Sequence, residues 1–347
     1  MNKSTSFFVS GIVLGALAAT CCFALFLKAQ KSSQLEDALN GGAEASQQLV
    51  LKLGHCLDTA HPVHTAMVHM KQRLEELSGG SVTMNIYPGS ALGSEVQCIE
   101  QLQNGALAMT KTSAAAMENF IPVMSIFGLP YIFRNEEHYW NVLNGSIGRD
   151  LLQKGENKFL RGLCYYDSGS RNFYTKDRPI RTPADCKGLK IRVMNSKTAM
   201  DMVKAMGASP TPIAWGELYS ALAQGTVDGA ENNPPSFYSN KHYEVCKHFT
   251  LDGHTRIPDM LFISTKIWGK MPPRVQGWVQ QAAEESSIFQ RELWNRKTVE
   301  SLAKAKEQGV TIYEVDTALF AAKVAPMLED VKREDVRKLL RQISEVK

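Results

Sequence analysis

The sequence predicts a two-domain α/β protein with mostly parallel sheets and one long helix that spans both domains. Three observations support this prediction. Strand patterns alternate with helix patterns from Val50 onward, the 347 residues suffice for two domains, and a long helical pattern follows Pro272-Pro273 and runs to about Glu307. At 1.5 Å per residue that helix measures roughly 50 Å, which exceeds the width of one small domain.

Residues 1–30 differ from the rest of the chain because Phe7 to Leu27 form an uncharged, mostly apolar run. A signal-peptide core is usually shorter, and about 20 apolar residues can span a bilayer. We therefore expect an export signal that is either cleaved or retained as a membrane anchor. Residues 31–48 are small and polar and predict a linker.

The first half of the chain alternates strand and helix, and recognisable end signals mark the elements. A proline in a first helical turn, a double glycine and a Ser-x-x-Gln capping box set the boundaries. In order, the predicted elements are a strand at 51–53, a helix from 62 to 77, a strand at 82–86, a helix after Ser94 and a strand near Leu107.

The second half continues this alternation. The predicted elements are strands at 163–166 and 172–174, a short helix at 182–188, a strand at 190–193, a helix from Ser196 to Gly207, an extended segment at 210–213, a helix at 217–224 and a strand at 227–230. Open α/β sheets bind ligands at the carboxyl ends of their strands. Two such domains facing each other form a cleft that can close over a small molecule. We assign 49–168 plus 258–297 to domain I and 169–257 plus 298–347 to domain II.

Composition limits the classes of function. The net charge is +4, with 44% hydrophobic and 21% charged residues. This is an ordinary globular composition, and the charge is too small for a nucleic-acid-binding protein. Two of the seven cysteines lie in the apolar run, and the remaining five include no Cys-x-x-Cys pair. Neither a zinc site nor a thioredoxin-type site is therefore indicated, and we expect buried free thiols, with one disulfide left open.

Two arginines lie where the ligand is expected. Arg192 lies within an apolar strand, Lys190 to Val193, where a buried charge costs several kcal/mol unless it is paired. Its partner is either an internal carboxylate or a ligand carboxylate, which a guanidinium can hold with two hydrogen bonds. Arg171 follows a glycine turn and is either a solvated surface arginine or a second ligand group. The residues alone leave both alternatives open.

Two further polar or aromatic side chains lie near strand ends. Asn232 follows the strand at 227–230 and offers a donor and an acceptor for a hydroxyl or carboxylate ligand, or it is simply a turn residue before proline. Trp215 comes just before a helix and can either stack on a ligand or pack in the core.

Six segments in sequence order resemble the DctP-type solute-binding proteins of TRAP transporters. They are 51–55 (LKLGH), 87–93 (YPGSALG), 129–131 (LPY), 189–193 (LKIRV), 207–212 (GASPTP) and 228–232 (DGAEN). The resemblance covers about Val50 to Tyr313. It implies a two-domain periplasmic-binding-protein fold, a periplasmic location, a small organic acid as ligand and TRAP permease subunits as membrane partners.

The same resemblance implies roles for particular residues. The strand arginine of the family forms the salt bridge to the substrate carboxylate, and this role falls on Arg192. The second arginine corresponds to Arg171, the asparagine of the DGxEN segment to Asn232, and the aromatic residue before the Glu-x-Tyr helix start to Trp215.

Segments 166–175, 231–243 and 254–258 look like the branch of this family that binds sugar acids such as glucuronate and galacturonate. Candidates for the hydroxyl groups of such a ligand are Glu95, His55, Ser113 and Asp167. Glu95 can instead favour its helix N-terminus, and His55 can be a core histidine. Sialic-acid binders of the family carry an acidic residue at the position of Ser113, which argues against sialic acid.

Two other classes of function compete with this interpretation. His61 and His64 are spaced for a metal pair on a helix, which would suit an enzyme, but no third ligand has motif spacing. The sequence also contains no P-loop, GxGxxG or GxSxG motif. A sensor module that presents its ligand to a receptor would use the same ligand site. We expect a binding protein without catalytic residues, metal or cofactor.

Overall fold

The structure is a computed structural model that describes residues 48–347. The predicted export signal or anchor at 1–30 lies outside these residues, as does the predicted linker at 31–48 except for its last residue. Within the described part of the chain, no helix is both long and apolar enough to cross a membrane.

Eleven strands form within residues 48–347, and most of the predicted strands are among them. They are β1 (Leu49–Gly54), β2 (Val82–Tyr87), β3 (Met109–Ser113), β4 (Leu160–Tyr166), β5 (Asn172–Thr175), β6 (Lys190–Val193), β7 (Ser209–Pro212), β8 (Gly229–Asn232), β9 (His248–Leu251), β10 (Asp259–Ser264) and β11 (Thr311–Glu314).

Twelve α-helices and four 3₁₀ helices connect the strands within the described residues. The α-helices are α1 (Pro62–Leu77), α2 (Glu95–Asn104), α3 (Ala114–Met117), α4 (Glu136–Asn144), α5 (Ser146–Gln153), α6 (Lys197–Met206), α7 (Trp215–Ala223), α8 (Pro234–Ser239), α9 (Thr265–Trp268), α10 (Pro273–Glu307), α11 (Thr317–Glu329) and α12 (Glu334–Glu345). The 3₁₀ helices are Pro122–Gly128, Glu156–Lys158, Pro183–Cys186 and His242–Glu244.

The strands assemble into two sheets, and each sheet is the centre of one lobe. Lobe I is built on the order β2-β1-β3-β10-β4, and lobe II on β11-β9-β5-β8-β6-β7. Each sheet is covered by apolar side chains from helices, as expected for an α/β fold. The predicted two-sheet α/β architecture is therefore confirmed.

The sheets are mostly parallel, as predicted, and one strand in each lobe is the exception. β10 runs antiparallel to both β3 and β4, and β5 runs antiparallel to both β8 and β9. The chain enters each of these strands directly after crossing from the other lobe. It therefore starts at the cleft and runs away from it, whereas β3, β4 and β8 end at the cleft.

The predicted capping residues are found at the ends of two helices. Ser94 and Gln97 make both hydrogen bonds of the capping box at the start of α2. Gly207 ends α6 at φ +102°, a left-handed conformation that glycine adopts without a steric penalty from a Cβ atom.

The long helix α10 contains 35 residues and contacts both lobes, which confirms the prediction. It packs on α1 and β4 of lobe I and on α8 and β11 of lobe II. Trp294, only 2% exposed, lies at this junction beside Gly169. A Cβ atom on Gly169 would approach Trp294 Nε1 to 2.9 Å, and the φ of +57° further favours glycine at this crossing.

The C-terminal helix α12 packs against lobe I. Its buried residues Val336 and Ile343 belong to the same apolar cluster as Tyr139 and Leu151 of α4 and α5. The boundaries drawn from the sequence assign this helix to domain II, because nothing in a sequence shows to which side a terminal amphipathic helix returns. The domain boundaries as a whole stay a prediction.

The five cysteines of the described residues are buried and carry free thiols: Cys56, Cys98, Cys164, Cys186 and Cys246.

Candidate ligand-binding site

A cleft between the lobes collects polar side chains from the strand ends. Its walls surround about 400 Å³, including the part that is open to solvent. Six of the eight residues predicted from the sequence line this cleft: Arg192, Arg171, Asn232, Trp215, Glu95 and Ser113.

Arg192 on β6 is the most exceptional of these residues because its charge is buried without a counter-ion. The side chain is 2% exposed, its Nε donates to Ile213 O at 2.9 Å, and no carboxylate within residues 48–347 forms an ion pair with it. One guanidinium nitrogen, Nη1, is buried without any hydrogen-bond partner. Burial lowers the pKa of Arg192, yet an arginine stays protonated in proteins. The guanidinium can therefore bind an incoming anion.

Trp215 at the start of α7 covers this arginine. The Arg192 guanidinium lies 5.7 Å from the centre of the indole ring, within range of a cation–π interaction. Trp215 Nε1 is buried without a hydrogen-bond partner. The indole therefore offers both an apolar face and a donor at the cleft.

Arg171 differs from Arg192 because it is already neutralised. Its guanidinium forms a salt bridge with Glu231, with Nη2 2.9 Å from Glu231 Oε1, and its Nη1 donates to Asn232 Oδ1 at 2.9 Å. Arg171 is 3% exposed, so it is not a solvated surface arginine. With Asn232 Oδ1 occupied in this way, Asn232 presents its amide nitrogen as a donor.

Behind Arg171, two further charged residues complete a buried network. His254 Nδ1 lies 2.7 Å from Asp252 Oδ2, and its Nε2 lies 3.4 Å from Glu231 Oε2. Burial alone would lower the pKa of His254, but Asp252 and Glu231 raise it to about 9. Burial likewise opposes ionisation of Glu231, but Arg171 and His254 lower its pKa to about 2. Arg171, His254 and Glu231 are thus charged at neutral pH, and the network joins two cations to two carboxyl groups.

The lobe I wall carries a second charged cluster, of which the sequence analysis identified only one member. Lys111 on β3 lies 3.1 Å from Asp259 Oδ1 and 3.4 Å from Glu95 Oε1. Glu95 Oε1 also accepts a hydrogen bond from Ser113 N at 3.0 Å. Lys111 and Asp259 each place a charge in or directly beside an apolar strand, the same signal that identified Arg192, so the sequence could have revealed them.

Three small polar residues of the cleft were also missed: Ser168, Asn233 and Ser236. Asn233 Nδ2 donates to Ser168 Oγ at 3.1 Å, and Asn233 Oδ1 caps α8 by accepting from Ser236 N at 2.8 Å. An asparagine before Pro-Pro predicts a helix cap, but no local pattern shows that this cap faces the cleft.

The structure does not bring the remaining two predicted residues, His55 and Asp167, to the cleft wall. His55 is 1% exposed, and its Nε2 lies 3.0 Å from His64 Nδ1. Burial lowers the pKa of His55 to about 3, which matches the alternative interpretation of a core histidine. Asp167 is fully buried where the chain crosses between lobes, and it accepts a hydrogen bond from Gly169 N at 2.7 Å.

The two histidines considered as a metal pair have different partners. His61 Nε2 lies 3.1 Å from Ser236 Oγ of lobe II, and His64 faces His55. Among the described residues, no three or more His, Cys, Asp or Glu side chains are grouped so that they could hold a metal ion.

Comparisons with known proteins agree with this geometry. The family model described as bacterial extracellular solute-binding protein, family 7, called DctP, matches residues 53–335. Three solved TRAP periplasmic solute-binding proteins are similar to the chain. The protein of Xanthobacter autotrophicus, with bound β-D-galacturonate, is 34% identical at a TM-score of 0.83, covering 86% of this chain and 100% of that one.

The protein of Pseudomonas putida, with bound D-glucuronate, is 35% identical at a TM-score of 0.83, with 86% and 98% of the two chains covered. The protein of Polaromonas, bound to D-erythronate, is 34% identical at a TM-score of 0.84, with 86% and 99% covered. The family match spans most of the described residues, and it includes the strand arginine and both walls of the cleft. The chain therefore belongs to the DctP family of bacterial extracellular solute-binding proteins.

Proposed function

We propose that this protein captures a hexuronate, such as glucuronate or galacturonate, in the cleft and delivers it to the membrane subunits of a TRAP transporter, without catalysing a reaction. The observation that carries the proposal is the buried, unpaired guanidinium of Arg192. A ligand carboxylate would supply the missing negative charge and satisfy the nitrogen that lacks a partner. Charge-assisted hydrogen bonds of this kind are among the strongest in proteins.

The remaining polar groups suit a hydroxylated ring. The Asn232 amide nitrogen and Trp215 Nε1 can donate, while Ser113 Oγ can donate or accept. A pocket with one cation for a carboxylate and several neutral or acceptor groups matches an acid with many hydroxyl groups. Glucuronate and galacturonate, the ligands named for two of the similar structures, have this chemistry.

The two-lobe architecture supports a mechanism of capture and closure. Arg192 and Asn232 belong to lobe II, whereas Glu95 and Ser113 belong to lobe I. A ligand that contacts both walls would favour the closed arrangement and exclude water. Glu118 of lobe I already bridges the lobes by accepting from Ser196 Oγ at 2.6 Å and from Thr198 Oγ1 at 3.1 Å. These hydrogen bonds between the lobes stabilise the closed arrangement without involving the ligand.

Thermal unfolding and calorimetry with matched ligands test the proposal. D-galacturonate and D-glucuronate should raise the melting temperature, and D-galactose and D-glucose, which lack the carboxylate, should not. D-erythronate, the ligand named for the Polaromonas protein, should bind more weakly because it is shorter and reaches fewer groups of lobe I. Equal stabilisation by the neutral sugars would refute the carboxylate anchor, and turnover of a bound acid would refute a purely binding role.

We also propose that residues 1–30 direct export to the periplasm. The mass of the protein recovered from the periplasm and from the membrane fraction distinguishes a cleaved signal from a retained anchor. Recovery of the protein in the cytoplasm alone would refute export.

A further inference from the structure

The lobe I wall of the cleft carries more negative than positive charge. Its cluster consists of Glu95, Lys111 and Asp259, so two carboxylates share one ammonium group and the net charge is −1. From this cluster we infer that the site selects acids with one carboxylate and a hydroxylated far end, and that it rejects the corresponding diacids. This inference rests on the proposed function, because it concerns the far end of the same ligand.

The free hydrogen-bond acceptors of the cluster also favour ligand hydroxyl groups over a second carboxylate. The Lys111 ammonium is shared by Asp259 Oδ1 and Glu95 Oε1, and Glu95 Oε1 also accepts from Ser113 N. Within residues 48–347, the second oxygens of these carboxylates, Asp259 Oδ2 and Glu95 Oε2, receive no hydrogen bond. Hydroxyl groups of a ligand can donate to these oxygens, whereas an ionised carboxylate can only accept.

Of the three cations at the cleft, two are already paired with carboxylates. Arg192 lacks a counter-ion, Arg171 is neutralised by Glu231, and Lys111 is shared by two carboxylates. The cleft therefore supplies one positive charge for one ligand carboxylate. A second carboxylate would lie against a wall of its own sign, and like charges placed together are an effective means of excluding a wrong partner.

Two pairs of acids test the charge at the far end. D-erythronate and meso-tartrate are both open chains that differ by oxidation of one terminal carbon to a carboxylate, so this pair isolates the charge. D-galacturonate and galactarate differ by the same oxidation in a larger acid, which also opens the ring. Isothermal titration calorimetry at pH 7.5 measures the dissociation constant of each. In each pair we expect the diacid to bind at least 100-fold more weakly than the monoacid.

Two single substitutions test whether the cluster causes this selectivity. Glu95→Gln and Asp259→Asn each change the net charge of the cluster from −1 to 0 and supply an amide donor. Each should reduce, at least tenfold, the ratio of the monoacid's affinity to the diacid's affinity. Glu285→Gln is the matched control, because it removes a carboxylate from α10 that pairs with Arg73 outside the cleft. It should leave the ratio unchanged.

The outcomes separate this inference from the proposed function. If the unmodified protein binds both members of a pair equally, the inference is wrong while the sugar-acid function stands. If the ratio is large but unaffected in every folded variant of the cluster, the selectivity arises elsewhere and the inference is also wrong. If no monoacid binds, the proposed function fails and this inference fails with it. Because there are two variants, a folding defect in one leaves the other as the test.

Discussion

Replacing Arg192 by methionine should separate ligand binding from folding. Methionine retains a long apolar side chain beside Trp215 but removes the charge and the hydrogen bond to Ile213 O. An unpaired buried charge costs several kcal/mol of desolvation free energy. The unliganded variant should therefore be at least as stable as the parent protein.

The loss of binding can be estimated from the role of the guanidinium. Truncating one partner of a buried, hydrogen-bonded charge pair costs about 2–5 kcal/mol of binding free energy. A loss of about 3 kcal/mol weakens the dissociation constant roughly 160-fold. A ligand present at 100 times its original dissociation constant stabilises the parent by about 2.7 kcal/mol, but the variant by only about 0.3 kcal/mol.

Differential scanning fluorimetry with and without galacturonate measures this difference. An unfolding entropy of roughly 0.6 kcal/mol per kelvin for about 300 residues converts these values to shifts of about 4 °C and about 0.5 °C. Arg178→Met is the control, since Arg178 is exposed and donates only to Lys187 O at 2.7 Å. It should retain the full shift.

Two results would contradict the reasoning. An undiminished shift in Arg192→Met would show that another group holds the carboxylate. A large loss of unliganded stability would show that an internal partner neutralises the arginine.

Three further predictions concern the groups around the site. Because the pKa of His254 is raised to about 9 in the folded protein, its contribution of about 3 kcal/mol is complete below pH 6.5 and is lost as the pH rises through 9. Denaturant unfolding between pH 6 and 9.5 should show this decline, and His254→Gln should flatten it. Glu231→Gln leaves Arg171 buried without a counter-ion and should lower the free energy of unfolding by about 3 kcal/mol in urea titrations. Glu118→Ala removes the bridge to Ser196 and Thr198, and it should weaken galacturonate binding about tenfold through faster dissociation in stopped-flow experiments.

A specific result would contradict each of these three predictions. Unchanged stability across pH 6 to 9.5 would mean that folding does not raise the pKa of His254. A fully stable Glu231→Gln would mean that Arg171 reaches another anion. Unaltered dissociation from Glu118→Ala would mean that the lobes do not separate at this contact.

Local patterns in the sequence were sufficient for many of the helices and strands and for the central residue of the site. Apolar periodicity, the Ser94–Gln97 capping box and the glycine at 207 specify helices and strands through contacts between near neighbours. A lone charge in an apolar strand marked Arg192, because burying a charge is costly wherever the strand lies. The family resemblance favoured a ligand role over the structural alternative for Arg171, Asn232 and Trp215, which all line the cleft.

Only the tertiary structure decided which charges are paired. Arg171 and Glu231 are far apart in sequence, as are Lys111 and Asp259, so their pairing depends on how the chain crosses between the lobes. The same crossings make β5 and β10 antiparallel and place His55 and Asp167 away from the cleft wall. The sequence by itself determined that a buried arginine needs an anion. The fold decided that Arg192, and not Arg171, lacks one, because electrostatic pairing depends on distance in space rather than on separation along the chain.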